Sequence, residues 1–370
     1  MVENKIPIVI DGWDIYPVHL PYMRPVRWAG HEETGADFLL LVLHTIDGIS
    51  GIGEASVRIQ WNGLNIAILA KILQEILLPQ LKGFDISEEQ ITERVLSRYP
   101  QHSLANSMID AACWDIRAQA KGMPLWKLLG GQRRVPVSWT LTRQAPGSMA
   151  EEAAQIFEQY GFQTIKVKTG QGLNKDREVL KHIRSALGDA VQLYADANSD
   201  YEEDDVPAYT SLLAEFGCVV AEDPCYLMPD EHGKRILAAS AIPVLVDKYC
   251  SNLFQSRVFL NWGAEAISVK YPKSGISESI RILALADELG ARAHIGIGAN
   301  SSLGGMAALS LAATRLKKTG NLPSEESFFL QFAEEYVFEP LEISEGTVKL
   351  PGESGFVRLV DWNQVKKLAI

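Results

Sequence analysis

From Val135 onward, short apolar runs rich in β-formers recur along the chain. They lie at Val135 to Leu141, Thr164 to Thr169, Val191 to Ala195, Cys218 to Ala221, Pro243 to Val246, Ala266 to Val269, Ala291 to Ile295 and Phe328 to Phe332. Most start roughly 23 to 29 residues apart, and amphipathic segments such as Ser148 to Tyr160 and Ile276 to Leu289 fill the gaps. Strand and helix alternating at this period build a parallel sheet. Eight such units in about 200 residues suit a closed barrel better than an open doubly wound sheet. Residues 131–338 are therefore read as a modified (β/α)8, TIM-like barrel.

The preceding stretch, 1–130, has a different rhythm. The apolar runs Asp37 to Ile46 and Ile49 to Ser56 are separated by Asp47-Gly48, a strong hairpin signal. Helical spacing follows over Leu64 to Leu81 and again from Ser103 to Lys121, where Gly122-Met123-Pro124 supplies a stop. Strands followed by helices predict an α+β unit. The last segment, 339–370, follows neither pattern and is expected to return to the cap.

The chain of 370 residues is 47% hydrophobic and 22% charged, which supports a sizeable core and excludes disorder, collagen and coiled coil. Lysine and arginine total 35 against 46 acids, a net charge of -11. Such a balance repels phosphate backbones and anionic membranes, so neither nucleic acid nor membrane is an expected partner. The four cysteines, Cys113, Cys218, Cys225 and Cys250, show no CxxC spacing, and Met1 to Lys5 is not a signal peptide. A cytoplasmic protein with free thiols is expected.

A barrel carries its working residues at the C-terminal ends of its strands. Asp196, Glu222 and Asp247 each close an apolar run on three successive strands. Three converging anions in a partly dry site require a counter-cation. An all-oxygen set with room for water and substrate suits Mg2+, with Mn2+ as a possible substitute. A single acid in such a place would more simply cap a helix; the matched set argues for metal. Lys166 and Lys168 lie on one face of the second strand. Like charges at that spacing, beside a divalent cation, are expected to lower each other's pKa and free one lysine to act as a base. Lys270 ends the sixth strand, across the mouth, placing an amine on each side of a bound carboxylate.

These residues resemble the enolase superfamily, specifically its muconate lactonizing enzyme (mandelate racemase/muconate lactonizing enzyme) subgroup. In the first domain the resemblance rests on Leu20 to Trp28, Asp47 to Ala55, Met108 to Asp115 and Gly122 to Gly131. In the barrel it rests on Ile165 to Lys168, Asp196-Ala197-Asn198, Glu222-Asp223-Pro224, Val246-Asp247 and Ser268-Val269-Lys270. It implies a cap closing over a modified barrel, usually in a homo-oligomer, and a small-molecule carboxylate substrate. It further implies Mg2+ held by Asp196, Glu222 and Asp247, which stabilises the enediolate formed by proton abstraction. Lys168 and Lys270 match the acid-base pair, and Lys166 the lysine that tunes it.

Returning the proton to the opposite face gives a racemase or epimerase, and lactone chemistry gives a cycloisomerase. An isomerase is favoured, with a lyase (dehydratase or synthase) on an amino-acid-like or proline-like acid as the alternative. A catalytically inactive scaffold is the non-enzyme alternative, although every matched position is filled. A nucleotide site at Gly296-Ile297-Gly298-Ala299 lacks the third glycine of that fingerprint.

Three departures stand out. Lys248 replaces the acid that usually follows the fifth-strand aspartate. His294 on the seventh strand lacks an aspartate partner at Lys270 and is read as a satisfied core residue or one that supports the site from behind its ligands. The eighth strand, taken over Phe329 to Glu334, has neither the paired aspartates of dipeptide epimerases nor the glutamate segment of muconate cycloisomerases. The resemblance implies that substrate choice lies in two cap loops, about 23–33 and 56–63. Arg24, Trp28 and Arg58 from these loops, together with Asn198, are expected to contact the substrate. Arginines there would suit a second carboxylate, and tryptophans with Glu32 and Glu33 a cationic amine.

Overall fold

The computed structural model describes residues 7–28, 31–316 and 322–370. The cap is built on an antiparallel sheet of β1 (Ile10–Trp28), β2 (His31–Thr45) and β3 (Ser50–Val57), in that order. β1 carries Pro17, Pro21 and Pro25, which cannot donate to a ladder; it lies at the sheet edge, where this is tolerated. Two proline-free strands follow, joined through Gly48 at φ 76°.

The continuous apolar run of β2 has a structural cause. Leu39, Leu41 and Leu43 face the cap helices, whereas Phe38, Leu40 and Val42 join the core shared with the barrel. A strand covered on both faces has no need of polar alternation. The long helix Ser103–Ala120 lies against β3. Its close approach depends on Gly53, where a Cβ would stand 2.1 Å from the Met108 carbonyl oxygen. The other side of this helix meets the barrel: Trp114 Nε1 donates to Ser277 Oγ (2.9 Å), and Asp110 accepts from the Ser277 amide (2.8 Å).

The strand expected over Val135 to Leu141 divides in two. β4 (Arg134–Pro136) leaves the barrel to pair with the C-terminal hairpin, and β5 (Trp139–Leu141) enters it. The barrel continues with β6 (Thr164–Lys168), β7 (Gln192–Asp196), β8 (Cys218–Glu222), β9 (Val244–Val246), β10 (Ala266–Val269) and β11 (Arg292–Ile295). These seven form one parallel sheet in chain order.

The eighth position differs from expectation. Phe328–Gln331 is a turn of 3-10 helix, and the barrel closes one step earlier through Ser324 and Glu325. The Ser138 amide donates to Ser324 O (2.8 Å) on the β5 side, and the Glu325 amide donates to Ile295 O (2.9 Å) on the β11 side. Pro323 precedes this bridge, and the aromatic run after it packs under the cap instead of extending a strand.

The segment beyond residue 339 forms the hairpin β12 (Ile343–Ser344) and β13 (Thr347–Lys349) beside β4, then runs to the cap. There the His19 amide donates to Leu368 O at 2.9 Å, along the outer edge of β1.

Candidate active site

The period-two alternation of β6 sends Lys166 and Lys168 to the barrel interior, and its register with β7 sets Lys168 beside Asp196. Asp196 in turn pairs in register with Glu222 on β8. Asp247 follows β9, and Lys270 follows β10 as the first residue before the helix Tyr271–Glu288. All three acids are buried, as is Lys166.

Lys166 Nζ lies 3.0 Å from Asp196 Oδ2, 2.7 Å from Glu222 Oε1 and 2.8 Å from Glu325 Oε1. Lys168 Nζ donates to Asp196 Oδ2 (2.5 Å) and Asn198 Oδ1 (3.1 Å). Lys270 Nζ donates to Asp247 Oδ2 (2.6 Å), and Lys273 Nζ reaches Asp247 O (3.0 Å) and Oδ1 (3.3 Å). β6 and β10 stand four places apart in the barrel order, so Lys168 and Lys270 approach from opposite sides of the mouth.

These pairs set the charge states. Burial alone would pull the Lys166 ammonium down, but Asp196, Glu222 and Glu325 outweigh it and hold its pKa well above the usual lysine range. Lys270 is likewise raised, because Asp247 overrides its burial. Without a divalent cation the like-charged Lys168 does not lower Lys166, because buried carboxylates outnumber the ammonium groups around it. Burial opposes ionisation of Asp196 and Asp247 as well. Lys166 and Lys168 nonetheless hold Asp196 well below the carboxylate range, and Lys270 and Lys273 do the same for Asp247. Glu222 goes the other way, pushed well up by burial and then by the Asp196 charge.

The strand ends carry backbone strain. Asn198 (φ 53°), Ser199 (φ 68°), Asp223 (φ 38°) and Ala299 (φ 51°) are non-glycine residues in the left-handed region, all just past barrel strands. The conformations are put to use. Asn198 donates its amide to Asp196 Oδ1 (2.7 Å), and Asp223 accepts from the amides of Asp247 (3.1 Å) and Lys248 (2.8 Å). Lys248 itself points away, exposed, its ammonium 5.6 Å from the Tyr249 ring centroid.

His294 is in the barrel core but is not satisfied there. Neither ring nitrogen has a hydrogen-bond partner, and Nε2 is 3.7 Å from Glu325 Oε1, an oxygen already engaged by Lys166 and Tyr194. Burial drops its pKa to about 4, so it is neutral at physiological pH. Glu325 itself escaped the sequence reading, because the eighth strand was placed beyond it. The Glu325-Glu326 pair after Pro323-Ser324 was the available signal.

The cap residues are distributed differently. Arg58 is buried and bonded to Glu33 Oε2 (3.1 Å), Tyr22 OH (2.5 Å) and Ser56 Oγ, with Trp61 across its guanidinium. Arg24 Nη2 pairs with Glu152 at 3.0 Å at the edge of a cavity over the barrel mouth. Trp28 closes β1, and its side chain lies outside the described residues. The first of the two expected loops is therefore largely strand, and the second is a short helical turn, Ile59–Asn62.

The acids at β7, β8 and β9 offer oxygen donors only, and Glu222 Oε2 is buried without a partner. That orphan carboxylate oxygen, between two acids of lowered pKa, fits a hard divalent cation. A tighter group is formed by Glu222, His294 and Glu325, whose ligand atoms lie within 4.8 Å of one another. Asp196 and Asp247 are not part of it, and each is paired with a lysine.

An α+β cap on a modified barrel, with lysines facing each other over a carboxylate cluster, defines an isomerase class. The chain belongs to the mandelate racemase/muconate lactonizing enzyme family: the model for its N-terminal domain matches residues 14–130, and the enolase C-terminal domain-like model matches 148–362. An N-succinylamino acid racemase of Thermus thermophilus is 29% identical over 352 residues, covering 92% of each chain. The crystal structure of muconate lactonizing enzyme from Mycobacterium smegmatis, complexed with muconolactone, superposes with a TM-score of 0.90 at 27% identity; the match covers 99% of this chain and 100% of that one. The dipeptide epimerase of Cytophaga hutchinsonii, complexed with Mg and the dipeptide D-Ala-L-Val, gives 0.84 at 25% identity over 95% of both chains. Among the described residues, no helix is long and apolar enough to cross a membrane.

Proposed function

We propose that the protein is a Mg2+-dependent racemase or epimerase that moves the proton α to a carboxylate. The observation that carries this reading is the placement of Lys168 and Lys270. Each is hydrogen-bonded to a buried aspartate, and they stand four strands apart with Glu222 between them. Asp196, Glu222 and Asp247 would hold the metal, with Mn2+ an acceptable substitute. Bound there, the divalent cation supplies the positive charge that makes the α-proton of a nearby carboxylate acidic enough to remove.

The chain's own groups do the rest. Lys168 takes the proton from one face, and Lys270, held charged by Asp247, delivers one to the other. Lys166 neither gives nor takes a proton; it keeps Asp196, Glu222 and Glu325 from repelling one another. Asn198 fixes both Asp196 and Lys168.

Cycloisomerisation is the second reading, favoured by the likeness to the muconolactone complex. Both readings are tested by incubating carboxylate panels with the enzyme and Mg2+ in D2O. Deuterium at the α-carbon with loss of optical purity supports the first. Ring closure or opening without α-exchange of a racemisable acid supports the second. Absence of any EDTA-sensitive exchange or conversion sinks both. A homo-oligomer is part of the proposal, read by sedimentation.

A further inference from the structure

Three side chains meet inside the barrel with their bonding incomplete or strained for partners. His294 is 2% exposed, and neither of its ring nitrogens is paired. Glu222, fully buried, gives Oε1 to Lys166 and has nothing on Oε2. Glu325, also fully buried, accepts from Lys166 and Tyr194 on Oε1 and from the Ile297 amide on Oε2. One ligand atom from each of the three lies within 4.8 Å of the others. Buried polar atoms are almost always paired, so orphans on two side chains this close, one of them an imidazole, argue for an occupant.

The spacing says what kind. His294 Nε2 stands 3.7 Å from Glu325 Oε1, too far for a hydrogen bond. A nitrogen and an oxygen bound at about 2.0–2.2 Å to one tetrahedral ion stand about 3.4 Å apart. The gap is therefore close to the span of a shared ion. The donor set narrows the choice further. Mg2+ takes oxygen ligands in octahedral array and gives up its waters reluctantly, so an imidazole in a closed core suits it poorly. Zn2+ takes imidazole and carboxylate together, as Co2+ and Ni2+ also do.

We infer that Glu222, His294 and Glu325 form a second cation site, selective for Zn2+ and related transition ions, and that filling it excludes Mg2+ because both sites need Glu222. The ion takes Glu325 Oε1 from Lys166, whose ammonium keeps Asp196 and Glu222. A transition ion bound there is an inhibitor. The exclusion, though not the site, rests on the assignment of Mg2+ to Asp196, Glu222 and Asp247.

The test uses the full chain, stripped of metal by a chelator that is then removed. Crystals soaked in Zn2+ are measured on both sides of the zinc absorption edge, and an anomalous peak among Glu222, His294 and Glu325 is expected. A peak among Asp196, Glu222 and Asp247 alone overturns the inference, as does density beside His294 without anomalous signal, which marks a water. In solution, calorimetry should show a Zn2+ affinity that falls in proportion to added Mg2+; Zn2+ binding that Mg2+ leaves unmoved overturns the inference too. His294→Gln and His294→Phe both remove the imidazole. Each should weaken Zn2+ binding by about a hundredfold or more and leave Mg2+ binding in place, since loss even of a group behind a metal ligand costs ten- to a hundredfold. A folded variant of either kind that binds Zn2+ as wild type does overturns the inference. Co2+ gives an independent reading: the strong visible absorption of a four-coordinate ion, expected in wild type and lost in both variants. Zn2+ found at the three residues of a protein that shows no Mg2+-dependent α-proton exchange leaves this site standing and removes the proton-transfer reading.

Discussion

Lys166 and Glu325 are 159 residues apart in sequence and 2.8 Å apart in the barrel. The contact ties the second barrel strand to the segment that closes the barrel, and it brings a third carboxylate onto an ammonium already shared by Asp196 and Glu222. Lys166→Met leaves three buried carboxylates without that charge, so it should cost about 3–5 kcal/mol in urea unfolding. Added Mg2+ should restore part of the loss, narrowing the gap to wild type, because a divalent cation supplies the missing countercharge. A variant as stable as wild type, or one indifferent to Mg2+, removes the role given to Lys166.

The two outer lysines act on substrate, so their loss should read out in chemistry beyond any change in stability. Lys168→Ala and Lys270→Ala are each expected to lower racemisation by about a thousandfold. In D2O each single variant should still exchange the α-proton of the one enantiomer that faces its surviving lysine. Equal loss of exchange for both enantiomers in both variants, with Mg2+ binding intact, argues against two-sided proton transfer.

The acids and lysines at the strand ends were legible because each ends an apolar run, and runs at that period leave few other folds. What was not legible follows from context. β1 is not legible in the sequence: Pro17, Pro21 and Pro25 disguise it, and its edge position, invisible in sequence, makes them harmless. The eighth strand was set on Phe328 to Phe332 because aromatic residues favour strands. Tertiary packing under the cap claims those rings instead: Phe328 and Phe332 lie 5.6 and 5.3 Å from Tyr22. Glu325 was lost with that shift. The raised pKa of Lys166 is not legible because sequence spacing shows the like-charged neighbour on the same strand but not the carboxylates arriving from other strands. Arg58 looked like a substrate ligand because its partners Tyr22 and Glu33 lie 36 and 25 residues away.

Glu54, at 2% exposure on β3, reaches out of the cap to the first turn of the barrel helix Ser302–Ala312. It accepts from the amides of Ser301 (3.1 Å) and Gly304 (3.0 Å), from Tyr336 OH (2.6 Å) and from Ser301 Oγ. A carboxylate at a helix N-terminus is favourable, and here it also joins two domains. Glu54→Ala leaves those donors unpaired in the interior and should destabilise the protein by about 3–5 kcal/mol. Glu54→Gln, which keeps an acceptor, should cost about 1 kcal/mol. The check is the urea midpoint of each variant; a smaller loss for alanine than for glutamine contradicts the bridging role.

Asp115 gives a prediction in pH. It sits at 1% exposure on the long cap helix and accepts from the backbone amides of Phe356 (2.8 Å), Ile52 (3.2 Å) and Val357 (3.4 Å), stitching β3 to the C-terminal segment. Burial pushes its pKa up to about 7, against the pull of those amides. A folded-state pKa above the unfolded value means the folded protein holds this proton more tightly. Its contribution is therefore complete below about pH 4 and is lost as pH rises through about 7, a change of up to about 4 kcal/mol. Asp115→Asn cannot ionise, so the fall in stability between pH 4.5 and 7.5, taken from urea unfolding, should be shallower than in wild type. The amide has one acceptor oxygen for three N–H donors, so the variant should start about 1–2 kcal/mol lower at acidic pH. Parallel curves for the two proteins across that range would show that Asp115 does not titrate there.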